Sequence, residues 1–178
     1  MIGSASREHL EAALPEPLNG MSKQKGMSID VEPLVHLLKY LPPRDVTLIV
    51  LKGHLLIEEQ LVSLLKCSLK YSAALDERHA PRFTFAHRLA LVKSMNRSQE
   101  NQGLWTSIAK LNTLRNDLAH KIASPKLNER INEFLQSADS LSGLSSKNKN
   151  IELRLRHALI FLCGALQRIQ KTNSAEIS

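Results

Sequence analysis

The sequence predicts an all-α fold, a helical bundle of about five or six helices. From Ile29 onward, apolar residues recur at steps of three and four, the spacing that aligns side chains on one face of a helix. No segment of useful length alternates apolar and polar residues as a half-buried strand does. Hydrophobic residues make up 43% of the 178-residue chain, so one domain of this size can bury a core without a disulfide or a metal ion.

The periodic pattern also sets the expected domain boundaries. Residues 1–28 hold prolines, glycines and scattered polar residues with little periodicity, so they are expected to form a flexible tail. Residues 29–172 are expected to form a single helical domain, and residues 173–178 a short C-terminal tail.

The domain is expected to begin with a short helix and a long one. Asp30 is a suitable cap for a helix over residues 31–40, and the pair Pro42-Pro43 breaks that helix. A long helix is expected from about residue 44 to residue 75. Its broad apolar face indicates a central place in the bundle.

Four further helices are expected after the long one. A polar turn, the Ser124-Pro125 pair and a polar run that begins after Gly143 separate them. Their expected bounds are Phe83–Met95, Leu104–Ile122, Leu127–Leu141 and Ile151–Ile169.

Several classes of function are excluded by motifs that the sequence lacks. It has neither a glycine-rich phosphate loop nor a set of residues at metal-ligand spacing, so no cofactor and no metal site is expected. Cys67 and Cys163 stand alone in apolar patterns and are expected to be small buried residues. His54 and Glu58, four residues apart on the long helix, are expected to share a face, most simply as a polar strip.

No stretch of the sequence approaches the roughly 20 apolar residues that a bilayer requires. The first residues mix acids and bases and lack the apolar segment of a signal peptide. The chain is therefore expected to be a soluble cytoplasmic protein with no membrane partner.

Positive charge is concentrated in one part of the chain. The formal net charge is +7, and residues 82–130 hold nine basic and three acidic residues. A localised basic surface attracts polyanions such as RNA. The alternative is that these residues are ordinary solvated positions on helix faces.

The helix expected over Leu104–Ile122 carries the residues that point to a chemistry. Its apolar stripe consists of Leu104, Ile108, Leu111, Leu114, Leu118 and Ile122. Because a helix turns about 100° per residue, Asn116 and His120 fall almost opposite this stripe, with Trp105 and Asn112 on the same side. That face has to be covered by another subunit, a ligand or another helix of the bundle.

The run Arg115-Asn116-Asp117-Leu118-Ala119-His120 resembles the signature of HEPN domains, an arginine followed by a polar residue and, a few residues on, by a histidine. The run lies near the C-terminal end of an amphipathic helix in an all-α chain, as in that family. The stretch from Gly53 to Glu58 is similar to the early helix of several HEPN-like families. The resemblance covers roughly residues 31–170.

The resemblance implies a helical bundle that forms a homodimer and joins two motifs in one basic cleft. Many HEPN proteins are metal-independent endoribonucleases of toxin–antitoxin, phage-defence or RNA-processing systems. It implies that Arg115 and His120 are a catalytic pair and that Asn116 orients His120 or the phosphate. Five neighbouring residues are then expected to contact RNA: Lys110, Lys121, Lys126, Asn112 and Trp105.

The residue types suit this chemistry, because histidine serves as a base near neutral pH and arginine stabilises charge that develops on a phosphate. A cognate antitoxin protein is a possible partner under this interpretation. HEPN toxins that are neutralised by nucleotide transfer often carry a tyrosine two residues after the histidine, and this chain has Ile122 there. Neutralisation by that route is therefore not expected.

Three alternatives stay open at this point. Arg115 could pair with Asp117 or another nearby acid, with His120 bonded to the last carbonyls of its helix. The chain could be a HEPN-like regulator or adaptor without catalysis, such as a transcriptional repressor or a nucleotide- or RNA-binding module. It could also be an unrelated helical interaction module.

Overall fold

The computed structural model describes residues 39–76, 82–96, 101–120, 125–143 and 150–177. These residues form five α-helices and one 3₁₀ helix, and none of them lies in a β-strand, which confirms the all-α class. The expected tail over residues 1–28 lies outside the described residues. So does most of the helix expected over residues 31–40, of which residues 39–40 are helical.

Helix α1 (Val46–Cys67) is the central element of the bundle. The 3₁₀ helix Ser72–Asp76 follows it. The five helices are α1 (Val46–Cys67), α2 (Phe85–Met95), α3 (Gln102–His120), α4 (Leu127–Ser142) and α5 (Ile151–Ile177). Helix α1 packs against α2, α3 and α5, in agreement with the central place that its apolar face predicts, and α4 packs against α3 and α5.

The core lies where α1, α3, α4 and α5 meet. The largest fully buried side chains are Ile49, Ile57, Leu61, Leu64, Ile108, Leu111, Leu114, Phe134, Leu135, Leu155, Leu159 and Ile160. Complete burial of an aliphatic or aromatic side chain contributes about 1.5–3 kcal/mol to the free energy of unfolding, so this set makes a large contribution to stability. No helix in the described part of the chain combines the length and the apolar character needed to cross a membrane.

Helix α1 ends earlier than the sequence predicts. It begins after Asp45, whose Oδ1 accepts a hydrogen bond of 3.0 Å from the backbone N–H of Leu48. It stops at Cys67 because Ser68 turns the chain, donating from Oγ to the Leu64 carbonyl at 2.8 Å. The expectation of one helix through residue 75 is therefore wrong.

Helix α5 extends further than predicted. It continues to Ile177 and so includes residues expected to form the C-terminal tail. The Asn173 Nδ2 donates to Asn96 Oδ1 at 2.9 Å and lies 3.2 Å from Ser68 Oγ. These contacts hold the last turns of α5 against the ends of α1 and α2, which explains why the helix continues beyond its apolar stripe.

Candidate functional site

A polar cluster lies where α1, α2 and α3 meet, and His54 is at its centre. The His54 side chain is buried, with 4% of its surface exposed. Its ring stacks on Phe85 of α2, with 4.2 Å between the ring centroids. Its Nε2 lies 3.1 Å from Oδ1 of Asn112 on α3. Because an amide oxygen can only accept a hydrogen bond, the imidazole donates from Nε2.

Glu58 lies one turn after His54 and faces the same neighbouring helix. Its carboxylate forms an ion pair and hydrogen bond with Arg88 of α2. His54 also faces α2, through Phe85, so the two residues share a face as the sequence predicts. The face is packed against α2 rather than solvated, and the pair ties α1 to α2 beside the imidazole.

Arg115 of α3 is the cation of the cluster that lacks a carboxylate partner. Its side chain is half-buried, and Nη1 donates to Asn116 Oδ1 at 3.2 Å. No carboxylate among the described residues lies within 4.0 Å of its guanidinium. Asp117 instead lies 3.4 Å from Arg130 of α4. The alternative in which Arg115 pairs with Asp117 is therefore wrong.

Electrostatics keep His54 neutral near pH 7. Burial is the largest cause that lowers the pKa of His54 below 6.5, and the charge of Arg115 lowers it further. The hydrogen bond to Asn112 and the charge of Glu58 act in the opposite direction. Because the unfolded chain binds this proton more readily, His54 contributes stability that is lost as the pH falls below 6.5.

Trp105 is a core residue, although the helical spacing places it on the side of α3 away from the apolar stripe. Only 3% of its surface is exposed, and it belongs to the same buried cluster as the stripe. The physical reason is that α3 is enclosed by α1 and α2 as well as by α4. Another helix of the bundle covers this side, which was one of the three possibilities, and Trp105 has almost no surface left for contact with RNA.

The other residues proposed to contact RNA are spread over different environments. Asn112 is half-buried and bonded to His54, and Lys110 Nζ donates to the carbonyl of Glu133 on α4 at 3.3 Å. Lys126 is exposed. Lys121 lies outside the described residues.

The proposed catalytic motif occupies the C-terminal part of α3. Asn116 is exposed beside the half-buried Arg115. His120 is the last residue of α3, and its side chain lies outside the described part of the chain. The structure thus shows a hydrogen bond between Arg115 and Asn116 and places His54 near enough for the Arg115 charge to affect its pKa. Sequence reasoning had assigned His54 to a separate polar strip.

Sequence reasoning did not connect these elements, because their contacts are long-range. Phe85 had no predicted role and Arg88 was counted only as part of the basic region, although they contact His54 and Glu58 about 30 residues away. The helical spacing of His54 and Glu58 was the only sequence signal noted for this cluster. It indicates that the two residues share a face of α1, but it does not identify the helix that packs against that face.

The described residues contain no group of three or more His, Cys, Asp or Glu side chains placed to hold a metal ion. In comparisons with known proteins, no family model, no curated protein and no solved structure matches the chain. The resemblance to HEPN domains therefore depends on the quoted residues, and the function has to be argued from the site.

Proposed function

We propose that the protein is a metal-independent endoribonuclease of the HEPN type that acts in the cytoplasm, as a bacterial toxin or phage-defence effector. The observation that carries this proposal is Arg115: a half-buried guanidinium, bonded to Asn116 at 3.2 Å, with no carboxylate among the described residues within 4.0 Å. A cation that no acid in the described part of the chain neutralises is available to an anionic ligand. A phosphate of RNA is the ligand that the motif favours.

The proposed reaction uses the two ends of the motif, a neutral His120 and the Arg115 cation. His120 accepts the proton of a ribose 2′-hydroxyl, and the 2′-oxygen attacks the adjacent phosphorus. Arg115 stabilises the charge that develops on the phosphate oxygens. The bond to the 5′-oxygen breaks, and that oxygen receives a proton from the imidazolium. The products are a 2′,3′-cyclic phosphate and a 5′-hydroxyl end.

The reaction is tested with a labelled oligoribonucleotide in excess EDTA. We expect cleavage to persist, because the proposed groups are an arginine, a histidine and an amide, and we expect 2′,3′-cyclic phosphate ends. A matched oligonucleotide with a single 2′-deoxyribose at the cleaved position should resist cleavage there. Tight RNA binding without cyclic-phosphate ends contradicts the nuclease and supports the alternative of a HEPN-like regulator or adaptor.

The exposed basic residues support an RNA ligand more weakly. Arg82, Lys93 and Lys126 are exposed, and all three lie in the basic region of residues 82–130. Arg88 and Arg130 of the same region are paired with acids. RNA binding should therefore depend on fewer cations than the sequence suggests. A cognate antitoxin remains a proposed partner, and growth arrest on expression, relieved by His120→Ala, is the result expected of a toxin.

We propose a homodimer that pairs the outer face of α1. Leu48 and Leu55 lie one heptad apart on this face and are 38% and 56% exposed. Lys52 and Glu59 are exposed on the same side of α1. If two copies of α1 pair antiparallel near Leu55, Lys52 lies opposite Glu59 of the partner subunit. This complementarity favours a second copy of the chain as the partner.

Leu55→Glu is expected to dissociate this dimer. The substitution places like charges together at the centre of a two-fold interface, so a parent chain of dimeric mass at micromolar concentration should become monomeric. Tyr71→Glu is the matched control, because Tyr71 is 75% exposed but lies beyond the end of α1. Sedimentation equilibrium measures both. A monomeric parent, or a Leu55→Glu chain that is still dimeric, contradicts the proposed interface.

A further inference from the structure

We propose that His54 and Asn112 are positioning residues of the Arg115 site, with the buried imidazole holding the face of α3 that carries the guanidinium. The inference rests on the proposed function and deepens it, because it assigns roles to two residues outside the pair Arg115 and His120. It also gives the polar cluster of α1, α2 and α3 a purpose beyond packing.

The contacts lead from α2 to the turn of α3 that precedes Arg115. Phe85 stacks on the His54 ring and leaves it little freedom to turn, with the ring planes 29° apart. The ring donates to Asn112 across 3.1 Å. Asn112 lies three residues before Arg115, so both occupy one side of α3 in successive turns. Arg115 then donates to Asn116 at 3.2 Å. The contact with His54 therefore fixes the helix turn before Arg115, and a supporting shell of this kind sets the position of a site residue.

Because the Arg115 cation lies nearby, the neutral form of His54 is the form that can hold Arg115 in place without repelling it. The charged groups that face the imidazole are Glu58 of α1 and Arg115 of α3, and the Glu58 carboxylate is already bonded to Arg88 of α2. A proton on His54 would place a second cation beside Arg115 with no unpaired acid of the cluster to offset it. Acid pH is therefore expected to disturb the position of Arg115 as well as to protonate His120.

Two substitutions separate positioning from packing. His54→Phe keeps an aromatic ring for Phe85 but cannot donate to Asn112. His54→Gln keeps an Nε2–H donor near the same place and does not titrate. Both are compared with His157→Phe. His157 of α5 is another histidine whose pKa is lowered mainly by burial, and its Nε2 has no hydrogen-bond partner among the described residues. Circular dichroism and thermal unfolding establish that each variant is folded.

We expect His54→Phe to lower kcat for RNA cleavage about tenfold, the change expected when one hydrogen bond that positions a charged group is lost. KM should stay within about twofold, because the change leaves the RNA-binding cations in place. His54→Gln should restore most of kcat at pH 7.5, and His157→Phe should leave kcat unchanged. A His54→Phe variant with the parent's kcat, or a His54→Gln variant no better than His54→Phe, overturns the inference.

The pH profile provides a readout that a packing role would not change. In the parent, protonation of His120 removes the base and protonation of His54 disturbs Arg115, so log kcat should fall with a slope steeper than one at acid pH. In His54→Gln the slope should approach one, because His120 alone remains. Equal slopes in the two proteins contradict the proposed role of His54.

An NMR measurement distinguishes two outcomes: that His54 does not position Arg115, and that the protein is not a nuclease. The ¹⁵N resonances of the Arg115 Nε and the Asn112 side chain should shift in His54→Phe and not in His157→Phe, whether or not RNA is cleaved. If the parent cleaves no RNA, the proposed nuclease is wrong, and these resonances alone decide the positioning role. Unchanged Arg115 and Asn112 resonances in His54→Phe overturn the inference even if the parent is an active nuclease.

Discussion

Replacing Arg115 with alanine is expected to lower the rate of RNA cleavage at least about a hundredfold while leaving the fold intact. Removal of one group that stabilises developing charge costs about 10²–10³ in rate. The side chain is half-buried, makes its hydrogen bond to exposed Asn116 and does not belong to the buried core. Single-turnover cleavage and thermal unfolding of the purified variant measure the two effects separately.

Companion variants assign the roles within the motif. His120→Ala should cost at least about a hundredfold, since a positioned base contributes about 10²–10⁴. Asn116→Ala should cost less, because its amide orients the guanidinium. Arg115→Lys keeps the charge without the planar fork and should recover only part of the rate. Arg168→Ala, which removes an exposed arginine of α5, is the control for loss of one positive charge.

A rate in Arg115→Ala close to that of Arg168→Ala would contradict the proposed role of the guanidinium. So would a His120→Ala variant that cleaves like the parent. Either result, with RNA binding intact, favours the regulator or adaptor. A large loss of stability in Arg115→Ala would instead mean that the cation holds α3 in the bundle.

The helical class was predictable because one periodicity covers most of the chain. The stripe residues Leu104, Ile108, Leu111 and Leu114 are all buried as the spacing predicts. Trp105 was predicted to lie on a face outside the core, and a helical wheel could not show that this face is also buried. The wheel orders residues about one axis, but it does not give the number of helices that surround that axis.

Charge and helix ends were harder to predict for similar reasons. The basic excess of residues 82–130 counted Arg88 and Arg130 as available, but Glu58 and Glu133, outside that region, pair with them. The end of α1 depends on Ser68 and on the ion pair of Lys66 with Asp76 at 2.7 Å. Of these contacts, only the pair of Glu58 with Arg88 joins distant parts of the chain. The others span three to ten residues, and they depend on side-chain geometry that the apolar periodicity does not contain.

Gly53 of α1 packs directly against Leu159 of α5, and Gly53→Val is expected to destabilise the protein strongly. A Cβ at position 53 would lie 2.9 Å from Leu159 Cγ and closer still to both methyl groups of that side chain. Leu159 is fully buried, so it has no free space into which to turn. Overpacking of this kind costs about 1–3 kcal/mol, and the branched valine should reach the upper end.

The melting temperature of Gly53→Val should therefore fall by about 6–12 °C, given about 2–4 °C per kcal/mol for a chain of this size. Gly103→Ala is the matched control. The nearest atom that its Cβ would meet is one flexible methyl of Leu141 at 3.0 Å, and the helix gains from the loss of a glycine. Differential scanning calorimetry of the two variants measures the contrast.

The decisive measurement is the coupling between positions 53 and 159. Leu159→Ala alone leaves a cavity and should cost about 2–5 kcal/mol. In Gly53→Ala/Leu159→Ala the new methyl group occupies part of that cavity, so the double variant should be at least about 1 kcal/mol more stable than the sum of the single changes predicts. Additive effects would mean that α1 tolerates a side chain here. His54 follows Gly53 in the chain. The contact of Gly53 with Leu159 of α5 therefore helps to fix the position of α1 from which the imidazole donates to Asn112.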